Sequence, residues 1–280
     1  MKPDDFDLLT TMLRQRSGLV LTREKAYLLE SRLLPVVRKH SLKTLEDLIQ
    51  AIRTKRDEAM IGAVIQAMTT NDTLFFRDRK PFERFRSVLL PHLLSTRADK
   101  HHIRIWSAGT SSGQEAYSLA MICLEEAAKL QDWKIDIIGT DLSHAMIERA
   151  RTGIYSQFEV QRGLPVRMLV KYFQPLGDGK WQMREDIRQM VQFQEVNLVQ
   201  DLGPIGVFDL VFCRNVMSYF DSTIKRRVLD SMAAVMAPDG MLALGDGETI
   251  KGISDKFKPL GNDEQFLVRS SAGETLAGLA

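Results

Sequence analysis

Cysteine is scarce: only Cys123 and Cys213 occur among 280 residues, one inside a helical pattern and the other inside a strand pattern. Nothing spaces them as metal ligands, so buried thiols are expected in preference to a disulfide. The five histidines are scattered, with only His101 and His102 adjacent, and no zinc constellation forms, so no metal is expected. No charge sign prevails, since 38 basic residues face 36 acidic ones for a net charge of +2. That balance does not announce nucleic acid as a partner, although local patches can differ from the whole. No run of about 18 apolar residues exists, and MKPDDFDLLTTML lacks the hydrophobic block of a secretion signal. A soluble cytoplasmic protein without direct membrane insertion is expected. Internal repeats and low-complexity tracts are absent. Hydrophobic content of 44% and charged content of 26% are ordinary for a globular chain, and the length allows one large domain or two.

What is present centres on Ile103 to Met121, IRIWSAGTSSGQEAYSLAM. Alternating β-branched and aromatic residues open it as a buried strand would. Ala108 to Gly113 are small, and from Gln114 the apolar period becomes helical, so the stretch reads as strand, glycine turn, helix. Such a turn lets a ligand lie against the backbone, and the helix N-terminus offers unpaired N–H groups. In doubly wound α/β proteins a nucleotide-like cofactor sits there. An ordinary βα turn has the same pattern.

Residues 1–70 carry helical periodicity throughout, joined by short loops, and predict a small antiparallel helical domain. Arg14, Arg16, Arg23, Lys25, Arg32, Arg38 and Lys39 tilt its first half basic, as either a solvated surface or a docking face. Next comes NDTLFFRD at 71–78, where Phe75 and Phe76 are suited to plugging a domain junction, and a connecting helix over 78–97 containing Pro81 and Pro91. Beyond the glycine turn, Ile135 to Asp141 reads as a strand ending in a carboxylate, placed where ribose is bound in such sheets. Leu142 to Arg151 reads as a helix. Alternation at Trp181–Arg184 and Met190–Phe193 predicts a hairpin between Lys180 and Phe193. Val207 to Cys213 reads as a central strand, Thr223 to Met236 as a helix, Pro238-Asp239-Gly240 as a turn and Met241 to Leu244 as a strand. Ser270 to Ala280 is expected to be a frayed tail.

Several motifs then coincide in order: NDTLFFRD, RIWSAGTSSGQEAYSLAM, GTDLSHAMIERARTGIY, VNL at 196–198, FDLVFCRNVMSYFD and APDGMLALGDGE. Together, from about Thr69 to Val268, they resemble the chemotaxis receptor methyltransferases, the CheR family. The resemblance implies a Rossmann-like, doubly wound α/β methyltransferase domain with a small β-subdomain, preceded by an all-α N-terminal domain. The expected limits are 1–75 for the helical domain, 76–95 for a linker helix and 96–280 for the methyltransferase domain, with the β-subdomain at about 174–193.

The same resemblance implies an enzyme that uses S-adenosylmethionine, yields S-adenosylhomocysteine and esterifies glutamates on the cytoplasmic helices of methyl-accepting receptors, recruited to membrane-bound receptor arrays. Position by position, it implies that Asn71, Thr73 and Arg77 embrace the cofactor's methionine end, and that Glu115 and Asp141 serve the cofactor, Asp141 on the ribose hydroxyls. Asn197 and Leu198 would flank the adenine, Arg214 and Asn215 line the pocket, and Tyr219 stand near the transferred methyl. Arg77 and Tyr219 are the catalytic candidates, although a tyrosine bonded at a pocket wall fits equally well.

The residues agree with this chemistry on their own account. No G-x-x-x-x-G-K-S cradle is present, which suits a cofactor without phosphates. Glutamate has a reference pKa of about 4.3 and needs no general base at neutral pH. No Ser/His/Asp or Cys/His set would supply one. The family usually carries Glu at Gln114, Pro at Ala116 and Gly at Asp239, and other residues at Asp246-Gly247 ahead of Glu248. Gln114 leaves room for a catalytically weak, cofactor-binding regulatory or scaffold protein of a chemosensory pathway. A nucleic-acid or small-molecule methyltransferase on the same fold is a third reading, opposed by the neutral charge and the lack of an N-P-P-Y motif. In the family that this chain resembles, some members grip a short peptide at the receptor's C-terminus through a longer connection in the β-subdomain. The compact QPLGDGKWQ segment leaves little room for that loop, so no C-terminal pentapeptide tether of the receptor is expected.

Overall fold

The computed structural model describes residues 1–55 and 57–271, in two compact units. The first comprises Met1–Thr70 and Tyr219–Lys225, the second Asn71–Ser218 and Arg226 onward. The part of the expected tail that falls at 272–280 lies outside the described residues.

The helical unit holds α1 (Pro3–Ser17), α2 (Ala26–Lys39), α3 (Leu45–Lys55) and α4 (Glu58–Met68). Its core is built from the apolar faces that the periodicity marks: Leu9 and Leu13, Leu29 and Leu33, Leu48 and Ile52, Ile61 and Val64. Local chemistry sets the ends. Gly18 closes α1 in the left-handed conformation, with φ 79°. Thr44 and Asp47 exchange side-chain and backbone bonds ahead of α3, and Asp57 caps α4 by accepting from Ala59 and Met60. Arg32 is committed to this unit, because its guanidinium donates to the carbonyls of Met68 and Thr69 and to the Thr70 hydroxyl.

The second unit begins with α5 (Lys80–Arg84), a π-helical turn (Phe85–Leu89) and α6 (Leu90–Thr96). Pro81 stands in the first turn of α5, where a missing N–H costs nothing, and Pro91 follows directly on the π-helical turn within the same helical run. Residues 76–95 are therefore not a separate linker: Phe82, Phe85, Leu89, Leu90 and Leu93 are buried in this unit's own core, together with Phe75 and Phe76. Then follow β1 (His102–Ala108), α7 (Gln114–Glu125), β2 (Lys134–Asp141), α8 (His144–Thr152), β3 (Ile154–Ser156), α9 (Gln157–Gln161), α10 (Val166–Tyr172), β4 (Phe173–Gly177), β5 (Lys180–Met183), α11 (Glu185–Arg188) and β6 (Val191–Glu195). The chain ends with β7 (Phe208–Cys213), α12 (Ser222–Ala234), β8 (Met236–Leu244), β9 (Phe257–Leu260) and β10 (Asp263–Arg269).

Seven strands form one sheet in the order β6-β2-β1-β7-β8-β10-β9. The first five run parallel, and β10 pairs antiparallel with both β8 and β9. Ile103, Ile105, Trp106, Leu210, Val211 and Phe212 are fully buried, as strands covered on both faces require. The strand order reverses between β1 and β7, so a crevice is expected beyond their carboxyl ends.

A second, three-stranded antiparallel sheet has the order β3-β5-β4. The hairpin expected between Lys180 and Phe193 is not formed. β5 pairs instead with β3 and β4, while β6 runs parallel to β2 at the edge of the large sheet. Alternation of apolar residues is common to both arrangements. Burial of Phe193 decides between them, because its ring lies where a Cβ on Gly139 would come within 2.7 Å. Likewise Pro238-Asp239-Gly240 is not a free turn but an irregular stretch inside β8. Asp239 there holds the buried Arg97 through two nitrogens, at 2.6 and 2.8 Å. Both cysteines are free and buried, and burial pushes the Cys123 thiol up to about 12.

Candidate functional site

The turn between β1 and α7 is shaped by two glycines at positive φ, where a side chain would be strained. Gly109 has φ 73°, and a Cβ there would collide with Cγ2 of Val216 from the loop after β7. Gly113 has φ 94° and faces Ala150 and the Phe193 ring. Backbone bonds hold the turn to β2, with Gly109 and Thr110 both donating to the Thr140 carbonyl at 2.8 Å. Tyr155 donates its hydroxyl to the Ser112 carbonyl at 2.8 Å. Gln114 is buried, and its Oε1 accepts from the Ser112 hydroxyl, so the turn uses the neutral amide as an internal partner.

Asp141 ends β2 with 8% of its surface exposed. Oδ2 accepts the Ser111 N–H at 2.8 Å and Oδ1 the Ser143 N–H at 2.9 Å. Burial pushes its carboxyl up and these N–H groups pull it back. A carboxylate has roughly four acceptor positions, so capacity for a ligand's hydroxyls remains.

Glu115, in the first turn of α7, accepts from the Ser107 hydroxyl at 2.8 Å and from Arg214 Nη1 at 3.2 Å. Burial raises its carboxyl above the usual range, and Arg214 and Ser107 oppose that rise. Arg214 follows β7 and is almost wholly enclosed. Its Nη2 donates to Asp78 Oδ2 at 2.6 Å and to the Arg77 carbonyl at 3.1 Å. The NDTLFFRD segment is thereby fastened to the strand end.

Arg77 itself is half-buried and closes that segment by donating to the Asp72 carbonyl at 2.9 Å. The Asn71 carbonyl accepts from the Ser111 hydroxyl at 3.1 Å, and Thr73 lies half-buried in the same segment. After β6, Val196 donates its N–H to the Asp141 carbonyl at 3.0 Å, which brings Asn197 and the buried Leu198 beside β2.

Nine of the ten residues singled out in the sequence thus belong to one unit, and its strand ends bring Asn71, Arg77, Glu115, Asp141, Arg214 and Asn215 together with the glycine turn. Tyr219 belongs to the helical unit, where its carbonyl accepts the Val20 N–H at 3.0 Å. Two groups here are buried without a partner among the described residues, the Thr110 hydroxyl and Arg214 Nε. A polar ligand that reached these groups would complete them.

Glu248 was not singled out, and it binds both the loop after β7 and the turn after β8. An acidic residue directly after Gly-Asp-Gly, close to a strand end, was the signal available for it. Among the described residues no cluster of three or more His, Cys, Asp or Glu is placed to hold a metal, and no helix is long and apolar enough to cross a membrane.

Residues 71–266 match the family described as CheR methyltransferase, SAM binding domain, and residues 4–69 match CheR methyltransferase, all-alpha domain. Chemotaxis protein methyltransferase 1 of Vibrio cholerae serotype O1 is 40% identical over 248 residues, 88% of this chain and 89% of that protein. Chemotaxis protein methyltransferase 1 of Pseudomonas aeruginosa is 39% identical over 257 residues, covering 91% and 93%. The chemotaxis protein methyltransferase of Borreliella burgdorferi is 33% identical over 253 residues, covering 89% of each.

Proposed function

Because the chain belongs to the CheR methyltransferase family, we propose that it methylates glutamate side chains of chemoreceptors from S-adenosylmethionine, in adaptation of chemotaxis signalling. The observation that carries this reading is the convergence of a glycine turn without a lysine, a strand-end carboxylate and a buried Glu115–Arg214 pair at one edge of a parallel sheet. When bound, the cofactor supplies a methyl on a sulfonium, and an ionised glutamate oxygen takes it while the C–S electron pair stays on sulfur.

The chain's part is to bind, align and exclude water. Asp141 is assigned the ribose hydroxyls, Asn197 and Leu198 the adenine, and Asn71, Thr73 and Arg77 the methionine end. Glu115, Arg214 and Asn215 line the pocket floor. Arg77 is also assigned the acceptor carboxylate, as an orienting cation that does not quench the nucleophile by a tight pair. No base is required, since a free glutamate with a pKa of about 4.3 is already ionised at neutral pH. In-line placement then supplies most of the rate.

Incubation with receptor-containing membranes and methyl-labelled cofactor tests this reading. Label that is incorporated and released as methanol at alkaline pH identifies glutamate esters. Label that resists base would assign N-methylation instead, and cofactor binding without incorporation would assign a regulatory role.

A further inference from the structure

Glu248 has no part in the roles above, yet its carboxylate is where two loops at the carboxyl edge of the sheet meet. Oε2 accepts the N–H groups of Asn215 at 2.9 Å and Gly245 at 2.8 Å, and Oε1 accepts that of Ser218 at 3.2 Å. Asn215 and Ser218 lie in the loop after β7, and Gly245 opens the turn after β8. The Glu248 N–H returns to the Gly245 carbonyl at 3.1 Å and closes that turn. An ionised carboxylate offers acceptors only, which matches three converging donors. An amide would turn its own NH2 toward one of them.

The loops are fitted closely around this carboxylate. A Cβ on Gly245 would lie 2.6 Å from Asn215 N and 2.8 Å from Glu248 Oε2. Asn215 has φ 60°, in the left-handed region that asparagine tolerates but does not prefer. On one side of it Arg214 meets Glu115, and on the other Val216 occupies the space that Gly109 leaves. The bond from Asn215 N–H to Glu248 therefore acts at the residue where loop, strand end and glycine turn meet.

We propose that Glu248 is a positioning residue for the methyl-transfer site, holding Asn215 in its left-handed conformation so that the Asn215 side chain is set for the cofactor before it binds. The proposal rests on the cofactor reading of this site. A side chain held by a supporting bond keeps its ligand contact without rearrangement, and loosening the support weakens binding although the support touches no ligand.

Calorimetric titration of S-adenosylhomocysteine into the full chain tests this, using the parent, Glu248→Gln, Asn215→Gly and the double variant. Glycine is chosen at 215 because it accepts positive φ without strain. A parent that fails to bind would overturn the cofactor reading itself, and the proposal with it. With a binding parent, Glu248→Gln is expected to weaken affinity about tenfold or more. Its Tm should stay within about 4 °C of the parent. The loss should largely disappear in the Asn215→Gly background, because the two residues act through one contact. Unchanged affinity in Glu248→Gln, or a loss of equal size with and without the Asn215 side chain, overturns the proposal. If Glu248→Gln does not fold, Glu248→Asp, which keeps the charge on a shorter arm, carries the same cycle.

Discussion

Arg214 Nη1 lies 3.2 Å from Glu115 Oε2, and the arginine side chain is only 1% exposed. An ion pair so enclosed contributes little net stability, but removing one partner strands the other. Arg214→Met should therefore destabilise the protein by about 3–5 kcal/mol, read from urea unfolding. Arg214→Lys keeps the charge but cannot reach Glu115 and Asp78 together, and it should fall between parent and Met. Equal stability of Met variant and parent would mean that Glu115 is already neutral there.

Asp141→Ala should weaken S-adenosylmethionine binding by about 10- to 150-fold, from a lost charge-assisted bond of roughly 1.5–3 kcal/mol. Because Asp141 also accepts from Ser111 and Ser143, the variant should melt lower than the parent as well. Asp141→Asn keeps one acceptor and separates the two effects. Calorimetry beside thermal melting makes the comparison. Parent-like affinity in both variants would take the ribose contact away from Asp141.

The two bonds from Arg97 to Asp239 give this carboxylate a structural task. The Arg97 hydrogen bonds hold its carboxyl below the usual range. A lowered folded-state pKa means stability present above the unfolded value and lost as pH falls through the folded one. Asp239→Gly should thus cost about 1–2 kcal/mol at neutral pH, a modest figure because the carboxylate is partly exposed. The gap to the parent should narrow as pH falls below the ordinary aspartate value of about 4 and close once the lowered folded-state value is passed. A gap that persists in acid would point to lost backbone rigidity instead of the ion pair.

Receptor docking is expected on the helical unit, through exposed Arg38 and Lys39 at the end of α2. Arg32 is left out of that surface because its guanidinium is bonded to the end of α4. Charge reversal at 38 and 39 should raise KM for receptor in a salt-dependent way, with kcat and cofactor affinity unchanged. Steady-state methylation at two ionic strengths gives the answer. A fall in kcat alone would move docking to another surface.

The receptor C-terminal pentapeptide should not bind. β4 is a five-residue edge strand containing Pro175, and it returns to β5 through Asp178-Gly179 without an added loop. Strand addition needs an edge whose main-chain N–H and C=O groups are free to pair, and Pro175 removes a donor from this short one. Titration with the pentapeptide NWETF should show no heat up to millimolar peptide, and a receptor lacking its tail should be methylated as fast as the intact one. Micromolar binding would reverse the expectation.

The strand, turn and helix from Ile103 onward were legible in the sequence because their determinants are local. Small residues mark a turn that needs positive φ at Gly109 and Gly113, and apolar period separates strand from helix on either side. Asp141 was legible for the same reason, as the last residue of its own strand. Helical periodicity likewise determined the cores of α1 to α4. Partners were not legible. Alternation at Val191–Glu195 states which side chains share a face, not which strand lies alongside. Phe193 fills the space over Gly139 and Gly113, and this packing goes with β6 lying beside β2 in place of β5. Arg97 reaching Asp239 and Glu248 gathering N–H groups from two loops are also long-range events. Tertiary structure alone decided them, because a hydrogen bond between residues distant in sequence depends on the packed position of both, and neither residue's neighbours carry that information.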